Sequence, residues 1–187
     1  MKVLYSFSAS GLKEFGDEYK HLRDYLKSKG TELIVDEIDE ILKKFKQTGS
    51  TQIPPKASSI TKRAQIVSKS DIVVLDVSDG NIGGGILVSM AIQMGKPTLL
   101  LWKKGVKMEY YFNSFAKDGS PVLRTYAYEG KKDKEKTIDE FLEIFSPDVR
   151  ARFNLVYRKD LDNYLEWGAF TYNTTKTQLL IDAISEK

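Results

Sequence analysis

Residues 70–102 read SDIVVLDVSDGNIGGGILVSMAIQMGKPTLLLW. Two almost wholly apolar runs, 72–77 and 98–102, flank a glycine-rich loop over 78–85, a helix over 85–94 and a Gly95-Lys96-Pro97 turn. Strands without polar alternation are covered on both faces, as in a parallel sheet with helices on each side. The stretch is therefore a βαβ unit, and ligands of open α/β sheets bind beyond the carboxyl ends of such strands. Gly83, Gly84 and Gly85 let the backbone approach an anion closely, and the helix start at Gly85 offers unpaired N–H groups.

Outward from this unit the pattern repeats. Upstream lie a strand over 2–7, a helix over 14–29 with Phe15, Tyr19, Leu22, Tyr25 and Leu26 at helical spacing, and a strand over 32–36. A helix over 36–46, a Gly/Pro/Thr-rich loop and a helix from Ser58 or Ser59 to 69 complete the approach. Downstream lie a short aromatic helix over 106–115, a strand over 122–127 and a helix over 137–145 led by a capping-box-like TIDE motif (137–140). The expected fold is α/β, a flavodoxin-like doubly wound five-stranded parallel sheet over residues 1–146.

After a Ser146-Pro147-Asp148 linker the rhythm breaks, and 149–187 supplies one alternating strand and two helices. Leu161, Tyr164, Leu165 and Phe170 make the first helix amphipathic, and Leu179, Leu180, Ala183 and Ile184 form a stripe on the second.

Composition narrows the chemistry. The 187 residues hold 41% hydrophobic residues, no cysteine and one histidine, at a net charge of +3. That excludes disulfides, thiolate metal sites and a cysteine nucleophile, and argues against a zinc site or a Ser-His-Asp triad. No metal and no cofactor is expected. Without an apolar run of about 18 residues or a leader-like N-terminus, no membrane partner is expected and the location expected is cytoplasmic. The lysines of GKKDKEK (130–136) alternate with acids and read as a solvated face, and His21 reads as a surface residue.

Tyr5 in the first strand, the strand SDIVVLDVS, the triple glycine entering a helix and the GKP turn before TLLLW together resemble the nucleoside 2-deoxyribosyltransferase family and its relatives, the 2'-deoxynucleoside 5'-phosphate N-hydrolases. The family's loop resembles S-x-G-x-G-x-E, in which the glutamate attacks the anomeric carbon and an upstream aspartate assists departure of the base. Laid on this chain, the motif puts Asn81 at the serine, Gly83 and Gly85 on the glycines, and Leu87 on the glutamate; the family aspartate falls on Arg63. No catalytic residue is then expected at the family positions, since leucine has no lone pair with which to attack. If the chain is active, Asp76 and Asp79 at the end of the central strand are the substitute carboxylates. The resemblance makes Tyr5, Arg63, Asn81, Gly83, Gly84, Gly85 and Ile86 candidate ligand contacts. It adds Tyr110 and Tyr111, with Asn113, in a segment where family members share the site with a neighbouring subunit.

The tail, with its RFNLVY strand (152–157) and TTKTQLLI helix start, resembles the ribbon-helix-helix module of Arc-type repressors, whose paired strands enter the DNA major groove. The resemblance implies that Arg152, Asn154 and Val156 face bases, and that the helix start at Lys176 and Thr177 meets a backbone phosphate. The expected whole is a catalytically degenerate nucleotide- or nucleoside-binding domain joined to a DNA-binding tail, a homodimer or higher homo-oligomer acting in transcription regulation. The alternatives are an N-glycoside hydrolase or deoxyribosyltransferase with relocated carboxylates, and an oligomeric protein whose tail is only a dimer clasp.

Overall fold

The computed structural model describes residues 1–50, 59–80, 82–107, 122–145 and 158–185. Five parallel strands, β1 (Lys2–Phe7), β2 (Glu32–Leu33), β3 (Ile72–Asp76), β4 (Thr98–Lys103) and β5 (Leu123–Tyr128), pair in the order β2-β1-β3-β4-β5. Registers such as Val3↔Ile72, Val73↔Thr98 and Thr98↔Leu123 fix the sheet. This is the flavodoxin-like order, with its switch point between β1 and β3. All residues of β3 are buried, as the apolar run Ile72–Leu75 requires, and Asp76 at its end is buried with them.

Side-chain alternation splits the sheet between two cores. Leu4, Val73, Leu75, Leu100 and Trp102 pack with Val67 of α3 (Ile60–Lys69) and with Leu87, Val88 and Ala91 of α4 (Ile82–Gln93). On the other face Val3, Tyr5, Val74, Leu99 and Leu101 meet Leu22 and Leu26 of α1 (Leu12–Ser28) and Ile138 and Phe141 of α5 (Lys131–Ile144). A smaller cluster of Leu12, Phe15, Tyr19 and Ile38 seats α2 (Ile38–Thr48).

Two helix starts differ from the sequence reading by three residues or more. Helix α4 begins at Ile82, so Gly83, Gly84 and Gly85 form its first turn instead of a loop, and none of them has a positive φ. Helix α5 begins at Lys131, ahead of the TIDE motif; Thr137 donates to the Asp133 carbonyl at 3.1 Å within the helix, so it caps nothing. The start is set by extended Gly130 and by Asp133, whose carboxylate reaches back to accept the Glu129 N–H at 2.9 Å. By contrast α3 starts where serine predicts, with Ser59 Oγ accepting the Lys62 N–H at 3.2 Å. The expected aromatic helix over 106–115 lies mostly outside the described residues.

The chain divides into two compact units, Met1–Val149 and Arg150–Lys187. The second contains α6 (Lys159–Thr171) and α7 (Lys176–Ser185), the latter capped by Thr175 Oγ1, which accepts the Gln178 N–H at 3.1 Å. A Cβ at Gly168 would sit 3.0 Å from Leu179 Cδ1, so glycine lets the two helices approach. Of the apolar stripe expected on α6 only Leu165 is buried; Leu161, Tyr164 and Phe170 are exposed, as is Ile184 on α7. The expected strand over 152–157 lies outside the described residues. No helix among the described residues is long and apolar enough to cross a membrane.

Candidate functional site

A cavity of about 230 Å³ opens beside the switch point, at the carboxyl end of β1. Its floor comes from β1 through Tyr5 and Phe7, and its walls from the starts of three helices. Helix α2 gives Glu37, Ile38 and Ile41; α3 gives Arg63 and Ile66; α4 gives Gly83, Gly84 and Leu87. The N-termini of α2 and α4 both reach this space, and helix N-termini favour negative charge through their unpaired N–H groups.

Tyr5 is almost fully buried, and its hydroxyl donates to the Tyr19 carbonyl at 3.1 Å. Burial, reinforced by the charge of Asp76, holds its hydroxyl well above the usual tyrosine range, so it acts as a donor. Leu87, where the deoxyribosyltransferase-like motif has its glutamate, is a wall residue of the cavity and a member of the apolar core with Leu4, Val67 and Trp102. Arg63, where the motif has its aspartate, is half-buried and lines the same cavity.

Asp76 and Asp79 are not among the lining residues. Asp76 is 1% exposed and accepts from the Ser78 hydroxyl at 2.6 Å, the Tyr128 hydroxyl at 3.0 Å and Lys134 Nζ at 3.3 Å. Lys134 is itself fully buried, lies 3.3 Å from Glu18 Oε2 and stacks 3.8 Å from the centre of the Tyr128 ring. The solvated face expected at 130–136 thus contains one lysine that is turned wholly inward. Burial, then the charge of Asp76, hold the Tyr128 hydroxyl far above its ordinary value, so it stays a donor to Asp76. Asp79 accepts from Ser8 Oγ at 3.0 Å and from Ser10 Oγ. Gly11 packs against this pair so closely that a Cβ there would lie 2.6 Å from Asp79 Cβ and 2.5 Å from the Tyr19 hydroxyl.

Of the other candidates, Gly85 is exposed with open space around it, and Ile86 is half-buried; neither lines the cavity. Asn81, Tyr110, Tyr111 and Asn113, like Arg152, Asn154 and Val156, lie outside the described residues. In the tail, Thr177 is exposed, whereas Lys176 Nζ is paired with Asp162 at 2.7 Å and Glu166 at 3.3 Å. His21 is half-buried, its Nε2 2.8 Å from Glu135 Oε1, so it is not a plain surface residue. The sequence reading missed Glu37 and Asp36 as lining residues; the only signal was their place between β2 and α2, on the β1 side of the switch point.

The sheet order and the crevice define a flavodoxin-like α/β domain. No protein-family model matches the chain, and no curated protein matches its sequence. Among solved structures it is similar to the CMP N-glycosidase BcmB of Clostridium botulinum, with a TM-score of 0.51 and 18% identity. That likeness covers 76% of this chain and 100% of the glycosidase chain, and it is a likeness of fold.

Proposed function

We propose that the Met1–Val149 unit binds a nucleotide or nucleoside-like small molecule in the β1 crevice and leaves its glycosidic bond intact. One observation carries this reading: Leu87 and Arg63, at the two positions where the resembled family has carboxylates, line the same cavity. The wall from which attack would come is apolar and cationic. Covalent transfer of a sugar needs an attacking carboxylate there, while a guanidinium and two helix N-termini suit an anion. The glycosidase of similar fold acts, by its name, on CMP, which makes CMP the first probe.

The relocated-carboxylate alternative is weakened by geometry. Asp76 is committed to Ser78, Tyr128 and Lys134, and Asp79 to Ser8 and Ser10. Thermal-shift titration with CMP, dCMP and their nucleosides should raise the melting temperature, with the gain lost in Arg63→Ala. Absence of any shift contradicts the binding half, and release of free base contradicts the non-cleaving half.

With the tail included, the chain is a ligand-responsive transcription regulator in which a dimeric ribbon-helix-helix module touches DNA through Arg152, Asn154, Val156 and the start of α7. A second reading, a homodimer clasp without DNA, is favoured by the pairing of Lys176 with Asp162 and Glu166, which occupies the cation at that helix start. A gel shift separates them. Salt-sensitive binding weakened by Arg152→Ala or Asn154→Ala supports the regulator; dimers by sedimentation with no shift support the clasp.

A further inference from the structure

The cavity lies where two strands part. Glu32 N–H donates to the Met1 carbonyl at 2.9 Å and Ile34 N–H to the Val3 carbonyl at 3.1 Å, and there the pairing of β2 with β1 ends. Asp36 ties the departing chain to α1, since its Oδ2 accepts from Lys27 Nζ at 2.9 Å and from Arg23 Nη1 at 3.3 Å. Strand β1 runs on to Phe7, so its last residues border a gap. Tyr5 and Phe7 line the cavity from one side of that gap, and Val35 and Asp36 from the other.

In a parallel ladder a residue turns its N–H and C=O to the same neighbouring strand, and the next residue turns both to the opposite one. Met1 and Val3 turn theirs to β2, so Tyr5 and Phe7 turn theirs to the same side, into the gap, while Leu4 and Ser6 turn to β3. Among the described residues nothing bonds to the main-chain N–H or C=O of Tyr5 or Phe7. The Tyr5 side chain is occupied elsewhere: its ring packs in the core shared with α1, and its hydroxyl donates to the Tyr19 carbonyl. Tyr5 is 5% exposed, and main-chain groups at that depth are nearly always paired, because leaving them bare is costly.

We infer that this bare edge of β1 reads the base of the bound nucleotide, the N–H and C=O of Tyr5 meeting a ring edge that carries an acceptor and a donor side by side, with Phe7 extending the same edge. The inference rests on the nucleotide-binding reading above and says which part of the ligand lies against β1. Cytosine offers such an edge through its amino group and the neighbouring ring nitrogen, as adenine does. Ile38, Ile41 and Leu87 give a flat ring apolar surroundings in the same cavity. An extended peptide would use the same main-chain groups, but a cavity of about 230 Å³ holds one heterocycle and not an added strand.

Main-chain contacts survive side-chain substitution, so amide hydrogen exchange on the full natural chain, read residue by residue by NMR, is the direct test. In the free chain the Tyr5 and Phe7 amides should exchange about tenfold or more faster than those of Leu4 and Ser6, which are tied to β3. Saturating CMP should slow the Tyr5 amide by about tenfold or more. Ribose 5-phosphate, which lacks the base, should leave it as fast as in the free chain. Equal protection of all four amides in the free chain overturns the inference, because the edge is then already covered. CMP that binds without slowing Tyr5, or ribose 5-phosphate that slows it as much as CMP does, overturns the reading of the base by β1 and leaves nucleotide binding intact. If CMP does not bind, the nucleotide-binding reading fails, and the inference with it.

Discussion

Lys134 Nζ lies 3.3 Å from Asp76 Oδ2, and neither side chain is exposed to solvent. The pair joins the end of β3 to α5, and Tyr128 of β5 and Glu18 of α1 complete its surroundings. Ser78, held by Asp76, in turn accepts the Lys103 N–H at 2.8 Å, so the carboxyl edge of the sheet is fastened at β3, β4 and β5 together.

Breaking that pair leaves a charge buried alone. Lys134→Met should cost about 3–5 kcal/mol in urea unfolding, and adding Asp76→Asn should recover part of the loss, because removing both charges removes the unpaired one. A loss in Lys134→Met below about 1 kcal/mol would show that the pair is not closed off from water.

Gly11 meets Tyr19 and Asp79 without room for a methyl group. Gly11→Ala should lower stability by about 1–3 kcal/mol by thermal unfolding, since the backbone of the turn after β1 must shift.

Leu87→Glu introduces the glutamate of the resembled motif at one position only. It should lower stability by about 1–3 kcal/mol, because a carboxylate enters an apolar wall. Release of free base from CMP should stay at background, since Arg63 stands where the assisting acid would be.

The hydrogen bond from Arg23 holds the Asp39 carboxyl below its ordinary value of 3.8. A folded-state value that is lowered stabilises the fold above pH 3.8, and the gain is lost as pH falls through the lowered value. Asp39 is largely exposed, so the contribution is screened. The melting temperature of the natural chain should therefore fall slightly more steeply below about pH 4 than that of Asp39→Asn.

The sheet was legible because burial on both faces leaves no polar alternation to misread, and 72–77 and 98–102 carried that signal with one polar residue each. The start of α4 was not, because glycine marks loops by propensity, and here packing of Leu87, Val88 and Ala91 on the sheet holds Gly83–85 helical. Lys134 gave no sign of burial, since its partner Asp76 is 58 residues away and its neighbours are charged. Leu87 and Arg63, the positions singled out by the resembled motif, both line the crevice. Glu37 was not readable, because only the β2-β1-β3 order brings its helix to the mouth of that crevice.

One ligand-observed proton NMR experiment with CMP tests both halves of the proposal that the crevice holds a nucleotide without cleaving it. Saturation should transfer from the natural chain to the base and ribose protons and be lost in Arg63→Ala, and the anomeric proton signal should persist on long incubation. Signals of free cytosine, or no transfer from the natural chain, would contradict the proposal.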